Sequence, residues 1–235
     1  MIFYPNSDYV SKMQLILAID LRNGVVVHGS RGDRAGYRPL TWGAAPSAVP
    51  AEFVRSIGPR FIYIADLDRN EDSGDNIEGI LACAPLVEAC YEDRGCRSPA
   101  DLLSMDHVIN VIGTETAGGV LGGFAQGYLS IDVRNGRVIP SGEDPVSFLK
   151  SASNMAFDGC IVLNISSVGT ECGLGDQPLE KMRDAYDRPL LYGGGVATMR
   201  DLERLYEAGF DGAVVATGLH RGMIPLDLVR RGSLC

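Results

Sequence analysis

A chain of 235 residues, 46% hydrophobic and 22% charged, is long enough to bury a sizeable core without disulfides or metals, and its composition excludes disorder and fibrous repeats. Thirty acidic against 21 basic residues leave a net charge of −9. That argues against nucleic acid or an anionic membrane as partner, but not against small phosphate esters, which main-chain N–H groups can hold. No apolar run reaches the ~18–20 residues of a membrane span. The opening MIFYPNSDYVSKM lacks the basic and apolar regions of a secretory signal, so a cytoplasmic protein is expected. The six cysteines form no C-x-x-C pair and the three histidines are scattered, which points to reduced thiols and no metal site.

Residues 1–14 read as an N-terminal extension packed across the bottom or an edge of the domain. Short apolar runs then recur at 15–19, 61–65, 86–90, 107–112, 128–131, 160–164, 189–192 and 212–216. Eight such runs, rich in β-branched and aromatic residues, read as buried parallel strands. Helical stretches lie between several of them. After residue 65, NEDSGDNIEGILACA suggests a long loop and then a short helix. Ser98 with Asp101 and Thr198 with Asp201 resemble capping boxes, and Asp144 precedes Pro145 as a helix start. Gly58 and Gly209 stand where helices should stop.

The chain also repeats itself. LAIDLRNGVVV (17–27) and LSIDVRNGRVI (129–139) agree at seven of eleven positions. RGCRSPADLL (94–103) then lies opposite GGVATMRDLE (194–203), and VIGT (111–114) opposite VVAT (214–217). The first half carries extra residues at 28–50, where its counterpart 140–145 is brief. Three matches in order indicate duplicated halves. Eight strand–helix units in two halves of four predict a (β/α)8 TIM barrel of the α/β class, a single domain over 1–235 with no Pro-, Gly- and Ser-rich linker. An open doubly wound sheet would show G-x-G-x-x-G after the first strand, which is absent.

Function in a barrel sits at the C-terminal ends of the strands. Asp20 ends the first strand and Asp132 the fifth, which puts two carboxylates opposite each other for acid–base work. The competing reading is that each Asp merely orients its own Arg-Asn-Gly turn, at 22–24 and 134–136. Gly194, Gly195, Thr217 and Gly218 follow strands seven and eight, the usual phosphate seat. The repeat predicts a second, weaker seat at Gly95, Arg97, Ser98, Gly113 and Thr114, where Glu92 and Asp93 would repel an anion. Two seats flanking two acids imply an elongated ligand with phosphate at each end.

These residues resemble the histidine-biosynthesis barrels, which comprise phosphoribosylformimino-aminoimidazole carboxamide ribotide isomerase and the cyclase subunit of imidazole glycerol phosphate synthase. AIDLRNGVVV (18–27) resembles the family's first strand, with Asp20 at its catalytic aspartate. YIADLDRN (63–70) is similar to its second, SIDVRNGRV (130–138) to its fifth, with Asp132 at the second aspartate, and 193–222 to its closing phosphate segment. The Leu-Arg-Asn-Gly turn resembles the isomerase more than the cyclase, which usually carries a lysine there.

Three segments depart from the pattern. The third-strand Gly-Gly-Gly-Ile-Arg-Ser run is replaced by Asp93-Arg94-Gly95-Cys96-Arg97-Ser98, preceded by Glu92. After strand six, Asp-Gly-Thr becomes Val168-Gly169-Thr170, and the strand-six Asp becomes Asn164. The resemblance therefore implies a divergent, archaeal-type paralogue: an Amadori-type isomerase of a phosphosugar-like substrate, using Asp20 and Asp132 with no metal and no cofactor. The alternatives are a barrel that binds a phosphorylated metabolite without turnover, or an enzyme of one-carbon cofactor synthesis. Oligomeric state is not legible.

Overall fold

The computed structural model describes residues 12–234. The expected extension falls outside the described residues up to residue 11. Met13 is buried, its carbonyl accepts from Leu234 N–H at 3.1 Å, and the first strand begins at Gln14.

Eight parallel strands form the barrel: Gln14–Arg22, Phe61–Asp66, Ala89–Asp93, Val108–Gly113, Tyr128–Arg134, Gly159–Asn164, Leu190–Gly193 and Gly212–Val215. Each pairs with the next, and Gln14–Leu17 pairs with Gly212–Val215 to close the ring. Both faces are apolar because helices and turns cover the outside while side chains fill the inside. Ile16, Tyr63, Tyr91, Val111, Ile161, Leu191 and Val214 pack within the ring, while Leu15, Leu17, Ile62, Ile64, Leu129 and Val162 face the outer layer.

The expected third strand, 86–90, is displaced to Ala89–Asp93, since Ala84–Leu86 with Pro85 forms a 3-10 turn and the strand carries two buried acids, Glu92 and Asp93. Acids inside a strand break the apolar run by which strands are found in sequence.

Capping chemistry sets several helices. Asp144 accepts from Ser147 N–H at 3.0 Å and starts Pro145–Ala152. Thr198 and Asp201 cap each other at the head of Met199–Glu207. Such caps are each worth about 1 kcal/mol. Gly58 and Gly209, at φ +67° and +81°, end their helices as expected. Leu67–Asn70 and, after a loop, Ile77–Cys83 follow the second strand.

The expected helix after Ser98 does not form. Ser98 and Asp101 do cap each other, but only the 3-10 turn Pro99–Asp101 follows. Asn110 of the fourth strand takes Leu103 N–H at 2.7 Å and donates to Leu103 O at 2.9 Å, so the chain is drawn away before a helix can propagate. A first turn is costly to nucleate and yields readily to such a competitor.

Register carries the repeat into three dimensions. Asp20 pairs with Ala65 and Ala65 with Asp93; Asp132 pairs with Leu163 and Leu163 with Gly193. Asp20 and Asp132 thus hold equivalent levels in the two halves, whereas Asp93 stands where the other half has Gly193. No helix among the described residues is long and apolar enough to cross a membrane.

Candidate active site

The strand ends surround a cleft lined by Asp20, Asp93 and Asp132 together with Gly194, Gly195, Thr217 and Gly218. Gly95, Arg97, Ser98, Gly113 and Thr114 are not among its lining residues.

Neither catalytic candidate is needed to hold its Arg-Asn-Gly turn. Asn23 N–H donates to Asp68 Oδ2 at 2.6 Å and Gly24 N–H to Asn76 Oδ1 at 2.8 Å, while Asn135 N–H donates to Ser166 Oγ at 2.9 Å. The second-strand motif supplies the first of these braces. Asp66 and Asp68 both accept from Asn76 Nδ2, at 2.6 and 3.0 Å.

The two aspartates differ in setting. Asp132 is buried and accepts from Ser130 Oγ at 2.8 Å, Glu115 N–H at 2.9 Å and Thr114 Oγ1 at 3.3 Å. Burial, and next the nearby Asp93 charge, push its carboxyl up to about 7 against the lowering effect of those donors. Asp20 sits half-buried with Ala18 at the level where Ser130 stands below Asp132. Burial pushes Asp20 up to about 6, with Arg34 opposing and Asp93 adding to the rise. Both acids therefore change protonation near neutrality, where proton transfer needs them to.

Asp93 was expected beside a phosphate loop. It points instead into the barrel, where Tyr63 donates to its Oδ2 at 2.8 Å. Burial raises its proton affinity, while the Tyr63 and Gly95 donors lower it. A side-chain carbon at Gly113 would lie 3.0 Å from Asp132 Oδ2 and 3.7 Å from Asp93 Oδ2, so that position is kept open for the two carboxylates. Glu92, the other expected repeller, does not line the cleft. Strand alternation turns it to the outer layer, fully buried, with Arg94 Nε 3.6 Å away and no hydrogen-bond donor on either oxygen.

The two expected anion seats differ sharply. Near strands seven and eight, no hydrogen bond among the described residues engages the N–H of Gly195, Thr217 or Gly218. A carbon at Gly218 would lie 2.5 Å from Ala197 O, so only glycine lets the two loops meet. At the other end, Arg97 turns outward to the carbonyls of Gly95, Arg69 and Asn70 and to Asp72. Ser98 N–H and hydroxyl both go to Asp101, at 2.9 and 3.2 Å, and Thr114 Oγ1 serves Asp132. The residues of that seat are thus in place around the third and fourth strands, but the Arg97 guanidinium, Ser98 N–H and the Ser98 and Thr114 hydroxyls are engaged.

The extra segment 28–50 forms a cover. His28 ends the strand Val25–His28, which pairs with Arg38–Pro39. Arg34 bridges to Glu115 at 2.6 Å and Glu71 at 3.9 Å, and Arg31 N–H donates to Val168 O at 2.9 Å. His28 Nε2 lies 3.3 Å from Thr217 Oγ1, and Trp42 stacks edgewise between His28 and His220. Arg34, Tyr63, Glu115, His28 and His220 all line the cleft, and none was singled out from sequence. Two of the histidines, far apart along the chain, meet here because the ring closes. Among the described residues no group of three His, Cys, Asp or Glu side chains is placed to hold a metal ion, and the five described cysteines are free thiols.

Comparison with known proteins agrees with this architecture. Residues 122–225 match the model of a family described as histidine biosynthesis protein. An uncharacterized protein of Methanocaldococcus jannaschii is 31% identical over 225 residues, spanning 92% of this chain and 96% of its own. Two relatives are each named 1-(5-phosphoribosyl)-5-((5-phosphoribosylamino)methylideneamino)imidazole-4-carboxamide isomerase. That of Halobacterium salinarum is 28% identical over 235 residues, covering 89% of this chain and 92% of its own, and that of Thermus thermophilus 26% over 232 residues, covering 91% and 97%.

Proposed function

The chain belongs to the histidine biosynthesis protein family, and from that membership and the geometry of the cleft we propose that it is an isomerase of the Amadori type, converting a phosphorylated aminoaldose to an aminoketose. The observation that carries this reading is that Asp20 and Asp132 line one cleft, both with proton affinities raised toward neutrality.

The reaction is an internal redox exchange. An acid protonates the ring oxygen and the sugar opens to an iminium. A base then removes the C2 proton to give an enolamine; the base returns that proton to C1 while the C2 hydroxyl gives its proton to the spent acid, leaving the ketone and both carboxyl groups as they began. Asp132, with the higher proton affinity and three donors fixing its orientation, is the acid. Asp20, held lower by Arg34, is the base. The main-chain N–H groups of Gly195, Thr217 and Gly218 hold the phosphate, and the 28–50 segment shields the reacting carbons from water.

The test is an isomerase assay over aminoaldose phosphates, with Asp20→Asn and Asp132→Asn as controls. Each variant should lose ~10²–10⁴ in turnover with ligand affinity little changed. A native chain that binds these compounds but turns none over identifies a binding protein, and two fully active variants would refute the acid–base assignment.

A further inference from the structure

We propose that the substrate of this cleft carries one phosphate, seated by strands seven and eight, and an amine at the opposite end, received by Asp93. The proposal rests on the cleft being the site of a phosphorylated substrate, and it fixes what the other end of that substrate is.

The asymmetry of donors is the first argument. Among the described residues no hydrogen bond engages the N–H of Gly195, Thr217 or Gly218, whereas several donors that a second phosphate would need are engaged by acids of the protein itself. Thr114 Oγ1 and Glu115 N–H go to Asp132, and Gly95 N–H goes to Asp93 Oδ1 at 3.3 Å. An anion placed there would meet acceptors and buried carboxyl groups instead of donors.

Register gives the second argument. Asp93 occupies the level that Gly193 occupies in the other half, so a carboxylate lines the cleft on one side where the other has no side chain. That carboxylate is built in: Tyr63 orients Asp93 at 2.8 Å, and Gly113 leaves open the space shared by Asp93 and Asp132.

Charge gives the third. Among the described residues the lining contains no lysine and one arginine, Arg34, which is paired with Glu115 and Glu71. Arg34, whose charge also reaches Asp20 and Asp93, is thus shared with two glutamates, and the hydrogen-bond donors to Asp93, Tyr63 and Gly95, are neutral. An ammonium group, with three donors and a positive charge, complements this end better than a neutral hydroxyl.

Calorimetric titration of the full chain at pH 7 separates the possibilities, with inorganic phosphate, glucose 6-phosphate, glucosamine 6-phosphate and fructose 1,6-bisphosphate as probes. Glucosamine 6-phosphate should bind about tenfold or more tighter than glucose 6-phosphate, and the bisphosphate no tighter than glucose 6-phosphate. Asp93→Asn, which can still accept from Tyr63, should erase the amine preference and leave phosphate affinity unchanged. Asp93→Gly should raise bisphosphate affinity about tenfold. Equal binding of the amino and neutral sugars, or a native chain preferring the bisphosphate, overturns this inference and leaves the phosphosugar reading standing. Failure of all four probes to bind overturns both.

Discussion

The main-chain N–H of Asn23 donates to Asp68 Oδ2 at 2.6 Å, so the turn after Asp20 is fastened from the second strand and Asp20 is released from structural duty. Asp68 is buried and also accepts from Asn76. Asp68→Ala should strand these donors and cost about 1–3 kcal/mol, a fall of several degrees in thermal midpoint for a domain of this size. Asp20→Asn should leave the midpoint unchanged or raise it at pH 7, because it removes a carboxylate whose ionised form burial disfavours. Thermal unfolding of the two variants checks the contrast. A large loss from Asp20→Asn would return that residue to a structural role.

The activity of the proposed acid–base pair should trace a narrow bell. The base must be ionised and the acid protonated, so with Asp20 near 6 and Asp132 near 7 kcat/KM should peak between them and fall on either side, the two limbs being properties of the coupled cluster. The Asp93 charge raises the proton affinity of both. Asp93→Asn should therefore move the whole bell toward lower pH, by about half to one unit. A profile that stays in place shows that Asp93 is not ionised beside them.

The ring, its strand count and the level of Asp20 and Asp132 were legible because they rest on local signals: apolar runs, a duplicated Ile-Asp-x-Arg-Asn-Gly and caps such as Asp144 and Thr198. The third strand was misplaced because its inward Asp93 and outward Glu92 look like loop residues in sequence. Their opposite fates follow from strand alternation, which cannot be read until the strand's position is known. Arg97 matched the phosphate motif by position alone; what disarms it is a set of carbonyls contributed by Arg69, Asn70 and Gly95. His28 and His220 meet only through closure of the barrel, and the one available signal was that each adjoins a predicted mouth segment.

Glu92 should make the fold sensitive to alkali. Burial, and next the Asp93 charge, push its carboxyl up to about 8 from an ordinary 4.5, with Arg94 opposing. The folded chain thus keeps Glu92 protonated while the unfolded chain ionises it, so its contribution is intact below about 4.5 and is lost as pH rises toward 8. Glu92→Gln, which cannot ionise, should be more stable than the native chain at pH 8.5 by roughly 3–5 kcal/mol and nearly equal to it at pH 4. Urea unfolding at the two pH values measures this. A variant that is destabilised equally at both would mean that Glu92 is held ionised by Arg94.

The ribotide of histidine biosynthesis should be a poor substrate. The relatives named for it act on a compound whose name carries two phosphoribosyl groups, whereas at one end of this cleft Gly95 and Glu115 N–H are taken by Asp93 and Asp132. Arg97, the residue best placed in sequence to restore a second phosphate contact, already bonds three carbonyls and Asp72. Val168 stands in place of the acid of the family's Asp-Gly-Thr run, and its carbonyl accepts from Arg31 N–H. Each missing anion contact costs about 1.5–3 kcal/mol, or one to two powers of ten in affinity. Steady-state assays on the ribotide should therefore show kcat/KM at least tenfold to a hundredfold below that of the Thermus thermophilus isomerase measured in parallel, and the gene should fail to rescue a strain lacking that enzyme. Arg97→Ala should change neither result, since its guanidinium does not reach the cleft. Full efficiency on the ribotide, lost on Arg97→Ala, would mean that the 92–98 loop rearranges on binding and that the second phosphate seat is intact.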